Sequence, residues 1–270
     1  MNVETNPAAG PDRAEPTAAE LTVAQLGEGH PTYLLLHGGA GPQSVAAFAG
    51  LLATDGPGRV VLPTHPGFGG TPRPERLADV PALAALYRDL LDRLDLTDVV
   101  LVGNSIGGWI AAELALLHSP RVAGLVLVNA VGIEVPHSPV ADVSGLSPVE
   151  LSRLSYHDPA LFRFDPAALT PAQQAVAAGN RQALGVYGRG AAMADPGLRA
   201  RLAGITVPTL VLWGESDRVV HPAYGRAFAE AVPGAEFRLL PGTGHLPQLE
   251  TPQQLLGQLR EFGARVTPAP

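Results

Sequence analysis

The sequence predicts an α/β fold, with a doubly wound, mostly parallel sheet and a helical cap inserted between two of its strands. Two patterns predict the sheet: short, unbroken apolar runs recur along the 270 residues, and segments with helical periodicity separate them. A third pattern predicts the cap, because this alternation breaks between residues 133 and 204. Alternating strands and helices are typical of an open sheet that is covered by helices on both faces.

Six apolar runs are the predicted strands. Each run is continuous rather than alternating, as expected for a strand that is buried on both faces. The runs are Tyr33–Leu36, Val60–Leu62, Val99–Val102, Leu125–Val128, Thr209–Trp213 and Phe237–Leu240. We expect these strands to pair mainly in parallel, because helical segments connect them.

The clearest predicted helix runs from Asp79 to Leu94. Its apolar residues recur at helical spacing, and Asp79 is a suitable N-cap. A second helix is predicted after Ser105 and ends before Pro120. Two later helices are predicted over residues 222–231 and 252–262.

The cap is predicted to cover residues 133–204 and to divide a core formed by residues 20–132 and 205–265. The cap segment contains repeated prolines and short helical fragments, but no clear strand. A loop of about 70 residues would be far longer than the loops of compact domains, so we expect a helical insertion. Residues 1–19 are rich in proline, alanine and acidic residues and are predicted to be a disordered lead-in.

The composition excludes several classes of chemistry. The chain has no cysteine, and all 18 of its basic residues are arginine. Thiolate nucleophiles, Cys-ligated metals, Schiff-base lysines and the lysine of phosphate-binding loops are therefore excluded. The net charge of −7 argues against nucleic acid or an anionic membrane as a partner. No apolar run is long enough to span a membrane and no secretory signal is evident, so we expect a cytoplasmic protein.

The segment Gly103–Gly107 carries the strongest signal for chemistry. It reads Gly-Asn-Ser-Ile-Gly and joins a predicted strand to a predicted helix. A serine in such a tight turn projects its Oγ above the sheet, and the flanking glycines let neighbouring backbone approach closely. The N–H groups that open the helix would face the negative charge that develops on a substrate. We therefore predict that Ser105 is a nucleophile.

A serine nucleophile needs a base, and the base needs a group that orients it. His245 follows the last predicted strand in a glycine-rich loop, and Asp217 follows the strand before it. Both positions lie beyond the carboxyl ends of strands, where open α/β sheets bind ligands. The end of the fourth predicted strand is an alternative place for an acid, but Asn129 occupies it. We therefore predict Ser105, Asp217 and His245 as the catalytic residues.

The oxyanion of an acyl-transfer reaction needs two hydrogen-bond donors. One predicted donor is the N–H of Ile106, which follows the nucleophile. The second is predicted in the loop after the first strand, where Gly39 is our choice and Ala40 the alternative. His37 in the same loop is a candidate base by residue type, but a histidine in such a turn is more typical of a structural role.

Five segments resemble the α/β-hydrolase superfamily: "LLLHGGAG", "LPTHPGFGGT", "LVGNSIGGW", "LVLWGESDRVV" and "PGTGHLPQLETP". They span residues 33 to 262, most of the chain, and their joint occurrence is specific for the superfamily but not for a substrate. The order nucleophile, acid, histidine is also that of the superfamily. The resemblance implies a catalytic triad of Ser105, Asp217 and His245, with oxyanion donors at Gly39 and Ile106.

Within the superfamily, the turn "GNSIGG" is similar to that of the meta-cleavage-product hydrolases, which break C–C bonds. The resemblance implies substrate contacts near Asn104 and, if a cap arginine holds a substrate carboxylate, at Arg181. Those enzymes usually have a tryptophan after the catalytic histidine, whereas Leu246 stands here. Ala40 and Trp109 complete the candidate substrate contacts, although Trp109 is more typical of a core position.

We therefore predict a serine hydrolase that cleaves a small acyl compound, most simply a carboxylic ester, without a cofactor or a metal. The cap is expected to supply an apolar pocket, which some of its large apolar residues line. The candidates are Tyr156, Phe162, Phe164, Tyr187 and Met193. Two alternatives remain open. One is a C–C hydrolase with the same triad, and the other is a ligand receptor on the same fold that turns over little substrate. The pattern specifies no oligomeric state.

Overall fold

The structure is a computed structural model that describes residues 21–56, 58–162 and 166–267. Its sheet has seven strands in the order β1-β3-β2-β4-β5-β6-β7. The strands are β1 Val23–Leu26, β2 Thr32–Leu36, β3 Arg59–Pro63, β4 Val99–Asn104, β5 Val122–Val128, β6 Thr209–Gly214 and β7 Glu236–Leu240. β1 runs antiparallel to β3, and every other pair is parallel. The predicted fold class is confirmed, while the predicted lead-in, residues 1–19, lies outside the described residues.

Helices cover both faces of this sheet. They are α1 Gln43–Asp55, α2 Val80–Arg93, α3 Ile106–Ala115, α4 Pro148–Ser155, α5 Pro171–Tyr187, α6 Leu198–Arg201, α7 Pro222–Ala231, α8 Pro247–Glu250 and α9 Pro252–Val266. The apolar side chains of α1 and α9 form one core with one face of the sheet, and those of α2, α3 and α7 form a second core with the other face.

The continuous apolar runs follow from burial on both faces. In β2, Tyr33 and Leu35 belong to the core beneath α1 and α9, whereas Leu34 and Leu36 belong to the core on the opposite face. All four side chains are buried. Because successive side chains of a strand point to opposite faces, a strand with two covered faces has no position left for a polar residue.

All six predicted strands are present, but the strand β1 and the helices α1 and α8 were not predicted. β1 is a four-residue edge strand with largely exposed side chains, so it lacks the apolar run that marks the other strands. α1 begins directly after Pro42, which occupies its N-cap. Proline is well tolerated at the start of a helix, so Pro42 marks the beginning of this helix rather than a break.

The segment between β5 and β6 contains α4, α5 and α6, and we call it the cap. α4 and α5 each begin with a reciprocal capping box, formed by Ser147 with Glu150 and by Thr170 with Gln173. Two of the prolines in the cap, Pro148 and Pro171, are thus the first residues of helices rather than breaks. Among the described residues, no helix is long and apolar enough to cross a membrane.

Candidate active site

Ser105 lies at a strained turn between β4 and α3. Its backbone has φ 56° and ψ −121°, a conformation that non-glycine residues rarely adopt. The turn closes because its neighbours lack side chains: a Cβ on Gly103 would lie 2.1 Å from the carbonyl oxygen of Gly107, and one on Gly107 would lie 2.2 Å from that of Leu36. The sequence-predicted turn is therefore present, at the carboxyl end of a central strand.

Asp217 and His245 are in contact at the same edge of the sheet. Nδ1 of His245 lies 2.8 Å from Oδ2 of Asp217, and both side chains are buried. The other carboxylate oxygen, Oδ1, accepts the N–H groups of Val219 and Val220 at 2.8 and 2.9 Å. These bonds fix the carboxylate, and a proton on Nδ1 facing it would leave Nε2 of His245 as the basic nitrogen.

Asn129 completes the surroundings of the carboxylate. Its Nδ2 donates to Oδ2 of Asp217 at 2.5 Å, the same oxygen that faces His245. Asn129 follows β5 with φ 48°, a left-handed conformation in which asparagine is enriched. Asn129, at the alternative position for an acid, therefore donates a hydrogen bond to Asp217, which follows the neighbouring strand β6.

The side chain of Asn104 connects the serine turn to the histidine loop. Its Nδ2 donates to the carbonyl of His245 at 3.1 Å and to that of Val128 at 3.2 Å, while its Oδ1 accepts from Gln248 at 3.1 Å. Asn104 and Gln248 are both buried. Asn104 was predicted among the substrate contacts, but the structure places its amide in bonds to protein groups.

The loop after β2 lies against the serine. A Cβ on Gly38 would lie 3.2 Å from Cβ of Ser105. Among the described residues, the N–H of Gly39 has no acceptor. The N–H of Ile106 is the first of α3, where a helix provides no internal partner. Both groups are thus available as donors beside the serine.

Two buried histidines, His37 at the start of this loop and His65 in the loop after β3, hydrogen-bond to each other. The N–H of His65 donates to Nε2 of His37 at 3.1 Å, and the ring of His65 returns a bond from Nε2 to the carbonyl of His37 at 2.9 Å. The hydroxyl of Tyr87 completes this series of hydrogen bonds, 2.5 Å from Nδ1 of His65. Burial lowers the pKa of His37 to about 4 and lowers that of His65 well below its ordinary value. His37 thus has a structural role, and both rings are neutral near pH 7.

The remaining candidate contacts lie at different depths. Trp109 is a core residue whose ring fills the space over Gly132, where a Cβ would lie 2.5 Å from its Cγ. Leu246 is half-buried, whereas Arg181 is exposed on α5. Ala40 presents its carbonyl to Nδ2 of Asn180 at 3.4 Å.

The aromatic residues of the cap lie in different surroundings. The rings of Tyr156 and Phe162 stack at 4.5 Å, and both residues are half-buried. Tyr187 is buried and donates to the carbonyl of Pro66 at 3.0 Å, while Met193 is half-buried. Phe164 lies outside the described residues.

Sequence reasoning missed the polar residues that hold the site together. From the sequence, Asn129 serves only to exclude an acid at that position. Its place directly after a buried strand is the signal that could have indicated its hydrogen bond to Asp217. Gln248 and Asn180 have no such signal, because an amide within a helix is usually a solvent-facing residue. Their roles depend on contacts that are distant in the sequence.

Comparisons with known proteins agree with this architecture. The chain is 30% identical over 266 residues to a 2-hydroxy-6-oxononadienedioate/2-hydroxy-6-oxononatrienedioate hydrolase of Pseudomonas putida, covering 86% of this chain and 87% of the relative. It is 29% identical over 258 residues to a 2-hydroxymuconate semialdehyde hydrolase of the same species, covering 87% and 88%. A thermophilic esterase from Thermogutta terrifontis has a similar structure, with a TM-score of 0.64, 25% identity and coverage of 92% and 94%.

The model of the alpha/beta hydrolase family matches residues 33–258, which include the serine turn, the acid and the histidine loop. With the seven-stranded sheet and the relatives named above, this match shows that the chain belongs to the alpha/beta hydrolase family and is a hydrolase.

Proposed function

We propose that this protein is a cofactor-independent serine hydrolase that cleaves a small carboxylic ester through an acyl-enzyme on Ser105. The observation that carries the proposal is the 2.8 Å contact between Nδ1 of His245 and Oδ2 of Asp217, beside a serine held at φ 56°. A buried, hydrogen-bonded carboxylate that orients an imidazole is what a serine needs to become a nucleophile.

In the acylation step, Oγ of Ser105 attacks the ester carbonyl and Nε2 of His245 takes the hydroxyl proton. The carbonyl oxygen becomes an oxyanion, which accepts the N–H groups of Gly39 and Ile106. Asp217 stabilises the imidazolium without taking its proton. The C–O bond to the alcohol then breaks, and the proton on His245 passes to the leaving oxygen.

In the deacylation step, a water molecule attacks the acyl-serine while His245 takes one of its protons. The second tetrahedral intermediate uses the same two donors, and its collapse releases the carboxylic acid. The proton returns from His245 to Oγ of Ser105, which restores the resting enzyme. The overall reaction consumes one ester and one water and yields one alcohol and one acid.

A C–C hydrolase is the second candidate function. The names of the two relatives from Pseudomonas putida favour it, as does the asparagine before the serine. The carboxylate of a dienoate substrate would need a cation in the pocket, because an unpaired buried charge is costly. The exposure of Arg181 favours the ester, and none of the arginines in the described part of the chain is buried.

The test is turnover of p-nitrophenyl esters and of a 2-hydroxy-6-oxo-dienoate by wild type and by Ser105→Ala. We expect wild type to hydrolyse the esters and Ser105→Ala to lose about 10⁶-fold in kcat, the cost of removing the serine in a comparable hydrolase. A serine-directed fluorophosphonate should label wild type at Ser105 and leave the variant unlabelled. Efficient cleavage of the dienoate with poor turnover of every ester would favour the C–C hydrolase. Tight ligand binding without turnover would favour the receptor.

A further inference from the structure

α5 of the cap is fixed across two loops of the site. Oδ1 of Asn180 accepts the N–H of Gly69 at 2.9 Å, and its Nδ2 donates to the carbonyl of Ala40 at 3.4 Å. Two turns further on, Tyr187 donates to the carbonyl of Pro66. Asn180 and Tyr187 are both buried. Because polar bonds anchor it at both ends, this stretch of α5 has a defined position over the loop that contains Gly39.

Leu184 is the side chain of α5 that lies directly over this loop. It follows Asn180 by one turn and therefore shares its side of the helix. A Cβ on Gly39 would lie 2.7 Å from Cδ2 of Leu184, so the methyl groups of the leucine rest on the Gly39 backbone. The next glycine toward the strand, Gly38, rests on Ser105 in the same way. Leu184 is half-buried, so part of its apolar surface is exposed.

The two sides of the site are covered by different parts of the cap. The N–H of His245 donates to the carbonyl of Ser155, the last residue of α4, at 2.6 Å. The leaving alcohol has to reach Nε2 of His245 to receive its proton, so the alcohol lies on the α4 side. An acyl chain that runs away from α4 would pass Gly39 and the side chain of Leu184 that packs on it.

From this arrangement we infer that Leu184 limits the length of the acyl chain and restricts the enzyme to esters of short carboxylic acids. The inference rests on the ester-hydrolase function proposed above. Leu184 packs on the loop that binds the oxyanion, and a longer acyl chain would have to displace its side chain. The helix cannot easily move aside, because Asn180 and Tyr187 bind it to the loops below.

The test is a chain-length profile with a constant alcohol, using p-nitrophenyl acetate, butyrate, hexanoate and octanoate. We expect wild type to prefer acetate or butyrate. Leu184→Ala should raise the octanoate-to-acetate ratio of kcat/KM by about tenfold or more, since each methylene accommodated in an apolar pocket is worth about tenfold or more. Leu184→Phe should lower the same ratio. Val186→Ala is the matched control, because Val186 lies about 200° around the helix from Leu184.

A second series, with a constant acetyl group and alcohols from methyl to hexyl, separates the two sides of the site. We expect its ratios to stay within about twofold of wild type in Leu184→Ala, because residues outside a contact leave such ratios nearly unchanged. If Leu184→Ala changes the kcat/KM ratios of the alcohol series, or changes the ratios of neither series, the inference is wrong while the esterase function stands. Failure of wild type to hydrolyse any ester would instead overturn the function on which the inference rests. Circular dichroism of each variant, and the smaller step Leu184→Val, separate a change of profile from misfolding.

Discussion

The side-chain amide of Asn104 donates a hydrogen bond of 3.1 Å to the backbone carbonyl of His245. The residue before the proposed nucleophile thus holds the loop that carries the proposed base. The two residues are 141 positions apart in the sequence and lie on different strand–loop units. The bond links two parts of the core that the cap separates in the sequence.

We therefore expect Asn104→Ala to lower kcat by about 10–100-fold with little change in KM, because a small displacement of a catalytic group can cost about 100-fold. The measurements are steady-state kinetics on a p-nitrophenyl ester and the rate of labelling by a fluorophosphonate, which should fall together. Gln248→Leu is the matched control, because it removes only the bond from Gln248 to Asn104 and should cost less. Full kcat and full labelling rate in Asn104→Ala would contradict this positioning role.

The sequence predicts the frame of the molecule well because apolar periodicity reports burial. β4 is buried at all six residues, and its run of valine and leucine is unambiguous. β1 could not be predicted in this way, because a partly exposed edge strand does not need a continuous apolar run. The positions of Ser105, Asp217 and His245 could be predicted in the same way as the buried strands, because each of these residues follows a recognisable strand.

The supporting hydrogen bonds could not be predicted, because they join residues that are distant in the sequence. Asn129 reaches Asp217 across 88 positions, and Gln248 reaches Asn104 across 144. No local pattern encodes such a pair. The position of Arg181 on its helix was likewise unpredictable, since α5 has apolar and polar residues on several sides and its buried face is set by the loops beneath it.

The turn at Ser105 should not accept a side chain at Gly103. A Cβ there would lie 2.1 Å from the carbonyl oxygen of Gly107 and 2.4 Å from its carbonyl carbon, and both atoms are backbone. We expect Gly103→Ala to lower the free energy of unfolding in urea by about 3 kcal/mol or more, because overpacking against backbone cannot relax through rotamers.

Gly257 provides the matched control for this substitution. It is exposed in α9, and a Cβ there would meet nothing within 4 Å. Gly257→Ala should therefore raise the free energy of unfolding by about 0.5–1 kcal/mol, through helix propensity alone. Similar changes of stability in the two variants would show that the close approach at Gly103 does not constrain the fold.

The buried pair His37 and His65 should make stability depend on pH below neutrality. Burial lowers the pKa of His37 from 6.5 to about 4, so between these values the unfolded chain binds more protons than the folded one. The free energy of unfolding should therefore be independent of this group above about pH 7 and decrease as the pH falls from 6.5 toward 4. The full contribution is on the order of 3 kcal/mol, and the lowered pKa of His65 acts in the same direction.

Urea unfolding at pH 8, 6 and 5 measures this slope. The pKa of Glu236 is lowered from 4.5 by its hydrogen bond to Arg265, so this carboxylate loses its contribution mainly below about pH 4.5, beneath this range. His221→Gln is the control for removal of a histidine as such, because His221 is exposed rather than buried. A free energy of unfolding that stays constant from pH 7 to pH 5 would contradict a buried neutral pair.

The effect of replacing Arg181 distinguishes ester hydrolysis from C–C bond cleavage. If the protein is an esterase, Arg181→Ala should change kcat/KM for a p-nitrophenyl ester by less than about threefold, the range for a residue outside the transition-state contacts. If it cleaves dienoates and α5 turns Arg181 toward the substrate, the same change should reduce kcat/KM for a 2-hydroxy-6-oxo-dienoate by about 100-fold, the cost of an unpaired charge. Arg199→Ala, at a second exposed arginine of the cap, is the control and should leave both activities unchanged. We expect the first outcome, because the buried face of α5 is formed by Asn180, Ala183 and Tyr187 and does not include Arg181.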